Sequence, residues 1–142
     1  MTNVFVYGIL LNHEWPEESV CLGPGTVADR TLRFRVYANA AACQNAVMHG
    51  VVWSVNEEEL RILDDIEAVD KGLYKRTEVD VIVRGEAARA WLYEMRPPHT
   101  WVKELPHPRY IADIISAYSK YGLPQDGIKD ALLEFMVPNG RR

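Results

Sequence analysis

Cysteine is all but missing from this chain: Cys21 and Cys43 are the only two in 142 residues. With no export segment ahead of the first apolar run, two such residues favour free thiols in a reducing, cytoplasmic compartment over a disulfide scaffold. A thiol nucleophile at Cys43, beside Gln44 and Asn45, lacks a histidine placed by any motif to activate it. Long apolar runs are also absent. None approaches the roughly 20 residues that span a bilayer, so no membrane partner is expected. Nor is there a surplus of positive charge: 16 Lys and Arg stand against 20 Asp and Glu, a net charge of −4, which argues against a nucleic acid held through its phosphates. The four histidines, His13, His49, His99 and His107, show no metal-ligand spacing; no metal and no cofactor is expected, and each is assigned to a surface or loop position. Repeats, low-complexity tracts and linkers are missing as well, which leaves one domain over residues 1–142. With 48% hydrophobic and 25% charged residues, that domain can bury a single sizeable core.

What is present begins with Val4-Phe5-Val6-Tyr7, an apolar run that reads as a buried strand and stops at Gly8. Glycine takes backbone angles closed to other residues, so N–H groups around it can turn outward and form a pocket. Residues 12–19 are polar, contain Pro16 and read as a loop. Residues 20–28 are at best an irregular or bulged strand, because Gly23-Pro24-Gly25 interrupts them. From Thr31 to Tyr37, Leu32, Phe34 and Val36 alternate with Arg33, Arg35 and Tyr37, the mark of a half-buried strand. Arg30, Arg33 and Arg35 are read as its solvated face. Residues 39–45 are small and polar and read as a loop, followed by a central strand over 47–55 with Gly50 inside it.

Asn56 suits a helix N-cap, with Glu59 placed to complete a capping box. Leu60, Ile62, Leu63 and Ile66 give that helix an apolar face, and Glu57 and Glu58 favour its N-terminus. Gly72 closes the region. Residues 74–83 and 87–95 read as an antiparallel pair turning at Arg84-Gly85-Glu86. Residues 96–108 carry four prolines and form a long loop. Two helices follow, over 109–121 and 126–136, separated by Gly122-Leu123-Pro124. The expected class is α+β: a small mixed, largely antiparallel β-barrel or strongly curved sheet flanked by helices.

Four blocks stand out in order from residue 4 to about 133. They are Val4-Phe5-Val6-Tyr7-Gly8-Ile9-Leu10; Gly50-Val51-Val52-Trp53 with the acidic helix ending in Leu63-Asp64-Asp65-Ile66-Glu67; Gly72-Leu73-Tyr74 with its valine-rich strand; and Pro106-His107-Pro108-Arg109-Tyr110 through Tyr121-Gly122-Leu123-Pro124. Together they resemble the gamma-glutamylcyclotransferase family, which includes the small AIG2-like proteins. The last block is similar to the C-terminal block of the longer members.

The resemblance implies a closed or nearly closed sheet with a cavity at one end. It also implies conversion of a gamma-glutamyl amide into 5-oxoproline and a free amine. In that reaction the substrate's own α-amino group attacks its γ-carbonyl, so no protein nucleophile is needed and a folded substrate supplies the effective molarity. One carboxylate can take the proton from the attacking amine and return one to the departing amine. The resemblance gives that role to Glu67, whose place behind Ile66 at a helix end favours burial and a raised pKa. It makes Tyr7, Gly8, Ile9 and Leu10 the substrate cradle, through backbone N–H groups that hold a carboxylate or a developing oxyanion. Tyr110 and Tyr74 become further substrate contacts; Asp64 and Asp65 are read as ordinary helix-end carboxylates, with room for one of them to cap or brace the loop, and neither is assigned a catalytic role.

Two positions depart from the family pattern. Ile9 stands where serine or threonine is usual, and Leu10 where the longer members have asparagine. One lost hydrogen bond is worth roughly 1–3 kcal/mol. Three readings stay open: a cyclotransferase of lyase or acyltransferase type acting on a gamma-glutamyl dipeptide or amine, a non-catalytic binding descendant, and a biosynthetic enzyme that removes a gamma-glutamyl protecting group from a less polar amine. The partner in each is a small molecule. Whether the chain works alone or as a homodimer is left open.

Overall fold

The computed structural model describes residues 1–136; residues 137–142 of the expected domain lie outside them. The strands are β1 (Thr2–Val6), β2 (Val20–Arg35), β3 (Tyr37–Val55), β4 (Tyr74–Val83) and β5 (Glu86–Met95). The helices are α1 (Glu57–Ile66), α2 (Pro108–Tyr121) and α3 (Asp126–Met136). The strands close into a barrel in the order β1-β3-β2-β4-β5. Closure comes from β1, which pairs antiparallel with β3 and parallel with β5; the remaining pairings are antiparallel. The expected mixed, largely antiparallel architecture is therefore a closed barrel and not an open curved sheet.

β1 can close the barrel because Val4, Phe5 and Val6 are all buried, which for successive residues of a strand means that both faces are covered. Gly50 on β3 is the point of closest approach. A Cβ there would stand 2.5 Å from the Val6 carbonyl oxygen and 2.6 Å from the Phe5 ring. The β4–β5 turn forms where expected, with Arg84 and Gly85 both at positive φ, as tight hairpin turns require.

Residues 39–45 are not a loop, and residues 20–35 are one strand and not two. β2 and β3 form a single long hairpin from Val20↔Ser54 to Arg35↔Tyr37, with irregularities at Cys21/Gly23 and Ala28/Arg30. Alanine-rich polar sequence has little strand propensity of its own. Pairing with β2 and burial of Ala38 and Ala40 override it.

Several local readings change in the same way. The Asn56 side chain accepts the Glu59 N–H at 2.8 Å, so the N-cap forms. The Glu59 carboxylate turns instead to His13 Nε2 at 2.7 Å. His13 lies in a loop, as expected, but its ring is partly buried: it packs edge-on to Trp15, which stacks on Trp53. His107 caps α2, its Nδ1 accepting the Arg109 N–H. The arginine face of β2 is ion-paired and not merely solvated. Arg35 donates two hydrogen bonds to Glu134 of α3, at 2.9 and 2.8 Å, and Arg30 pairs with Glu94. On α1, Leu60 and Leu63 are buried, but Ile62 and Ile66 are close to half exposed, so its apolar stripe is narrower than its spacing implies. Cys21 and Cys43 are free thiols. No described helix is long and apolar enough to cross a membrane.

Candidate active site

Three segments meet at the end of the barrel where β1 and β5 finish and β4 begins. The first is the chain leaving β1. Tyr7 and Gly8 lead into a 3-10 turn over Ile9–Asn12, whose opening N–H groups have no acceptor within the turn. The Tyr7 hydroxyl donates to the Tyr93 carbonyl, and the Tyr7 carbonyl accepts from the Tyr118 hydroxyl at 2.8 Å. Gly8 lets β3 and α2 close in: a Cβ there would lie 3.1 Å from the Ala38 methyl and 3.9 Å from the Tyr110 hydroxyl.

The second segment is the end of α1. Glu67 is its C-cap, with its N–H donating to the Leu63 carbonyl at 2.9 Å, and Ala68 follows in the left-handed region at φ 53°. One turn earlier, Asp64 accepts from the Tyr93 hydroxyl at 2.7 Å and pairs with Arg76 at 3.1 Å. Those two bonds tie the last turn of the helix to the sheet. Of the two aspartates it is Asp64 that braces the helix end; Asp65 supplies its carbonyl to the Ala68 N–H.

The third segment brings two tyrosines to Ala38. Tyr74 donates its hydroxyl to the Ala38 carbonyl, and Tyr110, in the first turn of α2, accepts the Ala38 N–H at 2.9 Å. Tyr110 spends only a lone pair in that bond. Among the described residues its own hydroxyl proton meets no acceptor.

Tyr7, Gly8, Ile9 and Leu10 line one small cavity of about 20 Å³ together with Glu67, Tyr74 and Tyr110. This is room for one water-sized group. Glu67, Ile9, Tyr74 and Tyr110 also line an adjoining groove of about 220 Å³. All the residues singled out from the sequence thus come together. Leu10 does so from within the core, being 5% exposed, so it forms a wall and no polar contact. Sequence reasoning missed Ala38 and Tyr93 in the inner cavity and Tyr37, Ile66 and Leu73 in the groove. No local signal marks any of them: on β5 the adjacent Leu92 and Tyr93 are both buried, so alternation does not single Tyr93 out.

Among the described residues the Glu67 carboxylate has no hydrogen-bond or ion-pair partner, and burial pushes it from the ordinary 4.5 up to about 7. Burial also raises the phenols of Tyr7, Tyr74 and Tyr93. Tyr110 rises to about 12, again by burial, against the Ala38 N–H bond, which lowers it. At neutral pH these phenols are therefore neutral; the hydroxyls of Tyr7, Tyr74 and Tyr93 are already committed as donors, and Tyr110 alone among them keeps a proton to give beside one carboxyl poised between its two forms. No Lys, Arg or His side chain lines either space. No cluster of three or more His, Cys, Asp or Glu suited to a metal occurs among the described residues.

A family model described as gamma-glutamyl cyclotransferase, AIG2-like, matches residues 4–112. The fold is shared with several solved structures. One, named gamma-glutamyl cyclotransferase, is 23% identical with a TM-score of 0.75, covering 99% of this chain and 90% of that one. The uncharacterized protein loc79017 from Homo sapiens is 23% identical with a TM-score of 0.73, again covering 99% and 90%. YkqA from Bacillus subtilis is 19% identical with a TM-score of 0.75, covering 98% of this chain and 56% of that one. At these identities the likeness is one of fold. No curated protein matches the chain.

Proposed function

The chain belongs to the gamma-glutamyl cyclotransferase, AIG2-like family, and from that premise we propose that it cleaves a gamma-glutamyl amide by intramolecular cyclisation, with Glu67 as both base and acid. The observation that carries this reading is the unpaired Glu67 carboxyl, held at about 7, in the same cavity as the Tyr7–Leu10 loop and the unspent Tyr110 hydroxyl.

The substrate's α-ammonium gives a proton to Glu67. The freed nitrogen attacks the γ-carbonyl carbon and closes a five-membered ring. Negative charge grows on the carbonyl oxygen, where backbone N–H groups of the loop and the Tyr110 hydroxyl supply neutral donors. Collapse breaks the bond to the leaving nitrogen, which takes the proton from Glu67; the ring nitrogen sheds its second proton to the departing amine, which leaves in its ammonium form. The products are 5-oxoproline and a free amine; no water is consumed and Glu67 returns to its starting form. A carboxyl with a pKa near the working pH suits both transfers, because its two forms are both populated.

Ile9 brings no hydroxyl to this cavity. Tyr110 answers that loss, because its oxygen lies beside Gly8 with a proton to give. The free thiols of Cys21 and Cys43 fit a cytoplasmic enzyme. The second reading, a binding module without turnover, draws on Ile9 and Leu10. Against it stands Glu67, since an unpaired, partly buried carboxyl raised to about 7 is suited to proton transfer, whereas pairing with a ligand's ammonium would be served by an ordinary ionised carboxylate.

The test is 5-oxoproline release from a panel of gamma-glutamyl dipeptides, gamma-glutamyl amines and glutathione. Wild type should release it, and Glu67→Gln should not while keeping its circular dichroism spectrum. Full turnover by Glu67→Gln would overturn the role of Glu67. Binding without product over long incubation would favour the second reading.

A further inference from the structure

Single exposed apolar side chains are common and need no explanation. Two of them, joined by a partly buried leucine and brought from separate segments to the rim of a reactive carboxyl, are a different matter. Tyr37 opens β3 at 44% exposed, Ile66 ends α1 at 47% exposed, and Leu73 precedes β4. All three border the outer groove, and none lines the inner cavity.

Resting on the cyclotransferase reading above, we infer that this groove is the leaving-group subsite and that the amine released is a carboxylate-free arylalkylamine, not an amino acid or peptide.

The direction of the substrate follows from the two spaces. The inner cavity, about 20 Å³, holds a group no larger than one carboxylate of the glutamyl head. Glu67, Ile9, Tyr74 and Tyr110 line both spaces, so the atoms that exchange protons with Glu67 lie at their junction. Whatever is attached to the amide nitrogen then extends outward past Glu67, onto Tyr37, Ile66 and Leu73.

Charge decides what that body carries. With no Lys, Arg or His side chain lining the groove, a leaving amino acid would bring its carboxylate next to Glu67 with no cation to receive it. Size and shape decide the rest. The groove offers about 220 Å³, whereas a cavity of about 150 Å³ suffices for benzene. The Tyr37 and Tyr110 rings stand 5.8 Å apart and inclined by 57°, which leaves an aromatic wall for an edge-to-face partner.

The experiment compares kcat/KM for three amides: gamma-glutamyl-phenethylamide, gamma-glutamyl-phenylalanine, which adds only a carboxylate, and gamma-glutamyl-ethylamide, which lacks the ring. The phenethylamide should lead each of the others by about tenfold or more. Ile66→Arg, a change at an exposed helix end, should shift the ratio toward gamma-glutamyl-phenylalanine by about tenfold. Equal or better use of gamma-glutamyl-phenylalanine by wild type would overturn the inference while leaving the cyclotransferase reading intact. If no amide yields 5-oxoproline, that reading fails, and the subsite is judged by calorimetric binding of the same three compounds. Binding of the phenethylamide about tenfold tighter sustains it; equal or reversed affinities overturn it.

Discussion

Glu67→Gln should make the protein inactive and more stable at the same time. The folded chain holds a proton on Glu67 more tightly than the unfolded chain does, since burial moves the carboxyl from 4.5 to about 7. For a carboxyl raised in this way, folding stability falls as pH climbs from about 4.5 to 7 and stays depressed above that. At about 1.36 kcal/mol per pH unit, the full penalty is bounded near 3 kcal/mol, and partial contact with solvent leaves an expected 1–3 kcal/mol. Glutamine has nearly the same shape, carries no charge, and forfeits no partner, because the carboxylate has none among the described residues. Urea and thermal unfolding followed by circular dichroism should find wild type and variant matched at pH 4. At pH 8.5 the variant should unfold about 3–10 °C higher. In parallel, 5-oxoproline release should drop by about 10²–10⁴-fold. A variant that folds yet is no more stable than wild type at pH 8.5 would show that Glu67 is not held desolvated, and the reasoning that poises it for proton transfer would fail with it.

Three further outcomes follow from the same geometry. The kcat/KM of wild type should rise with pH through a limb at about 7, the value at which Glu67 gains its basic form; a limb at 4–5 would mean an ordinary, hydrated carboxyl. Gly50→Ala should cost at least about 3 kcal/mol, because its methyl would meet the Val6 carbonyl oxygen and the Phe5 ring; a melting temperature like that of wild type would refute the close β1–β3 contact. Tyr93→Phe keeps the ring in the cavity but removes the bond to Asp64, so stability should fall by about 1 kcal/mol and kcat by several-fold with KM little changed. An unchanged kcat would dismiss the brace beneath Glu67.

Where structure is decided locally, the sequence is a good guide. Residues 74–83 alternate, α2 is stopped by Gly122, and α3 spans Asp126–Met136 as its apolar spacing implies. Where a distant partner decides, local patterns mislead. Residues 39–45 become strand only because β2 lies beside them. Glu59 has the spacing of a capping box, yet its carboxylate answers to His13, 46 residues away. The site divides along the same line. The residues expected in it stand on motifs that keep their order in the chain, so they can be found without coordinates. Tyr93 lies on a strand face that reads as packing. Tyr37, Ile66 and Leu73 share a groove only because the ends of three elements meet there, and no spacing in the sequence encodes that meeting.

The parallel seam between β1 and β5 also sets a clock. Tyr7 and Tyr93, joined across that end of the barrel, are 86 residues apart in the chain. At ordinary translation rates about 4–17 s separate their emergence from the ribosome. Through that interval the apolar segment Val4–Tyr7 lacks its second neighbour, and long-range closure of this kind is slow to fold. Newly made chains therefore pass through an open state in which their stickiest segment is available to chaperones and to other nascent chains. A compound that bridges the Tyr7–Leu10 loop and Glu67 would latch the finished seam, raising the stability of the closed barrel in proportion to the logarithm of its concentration over its dissociation constant.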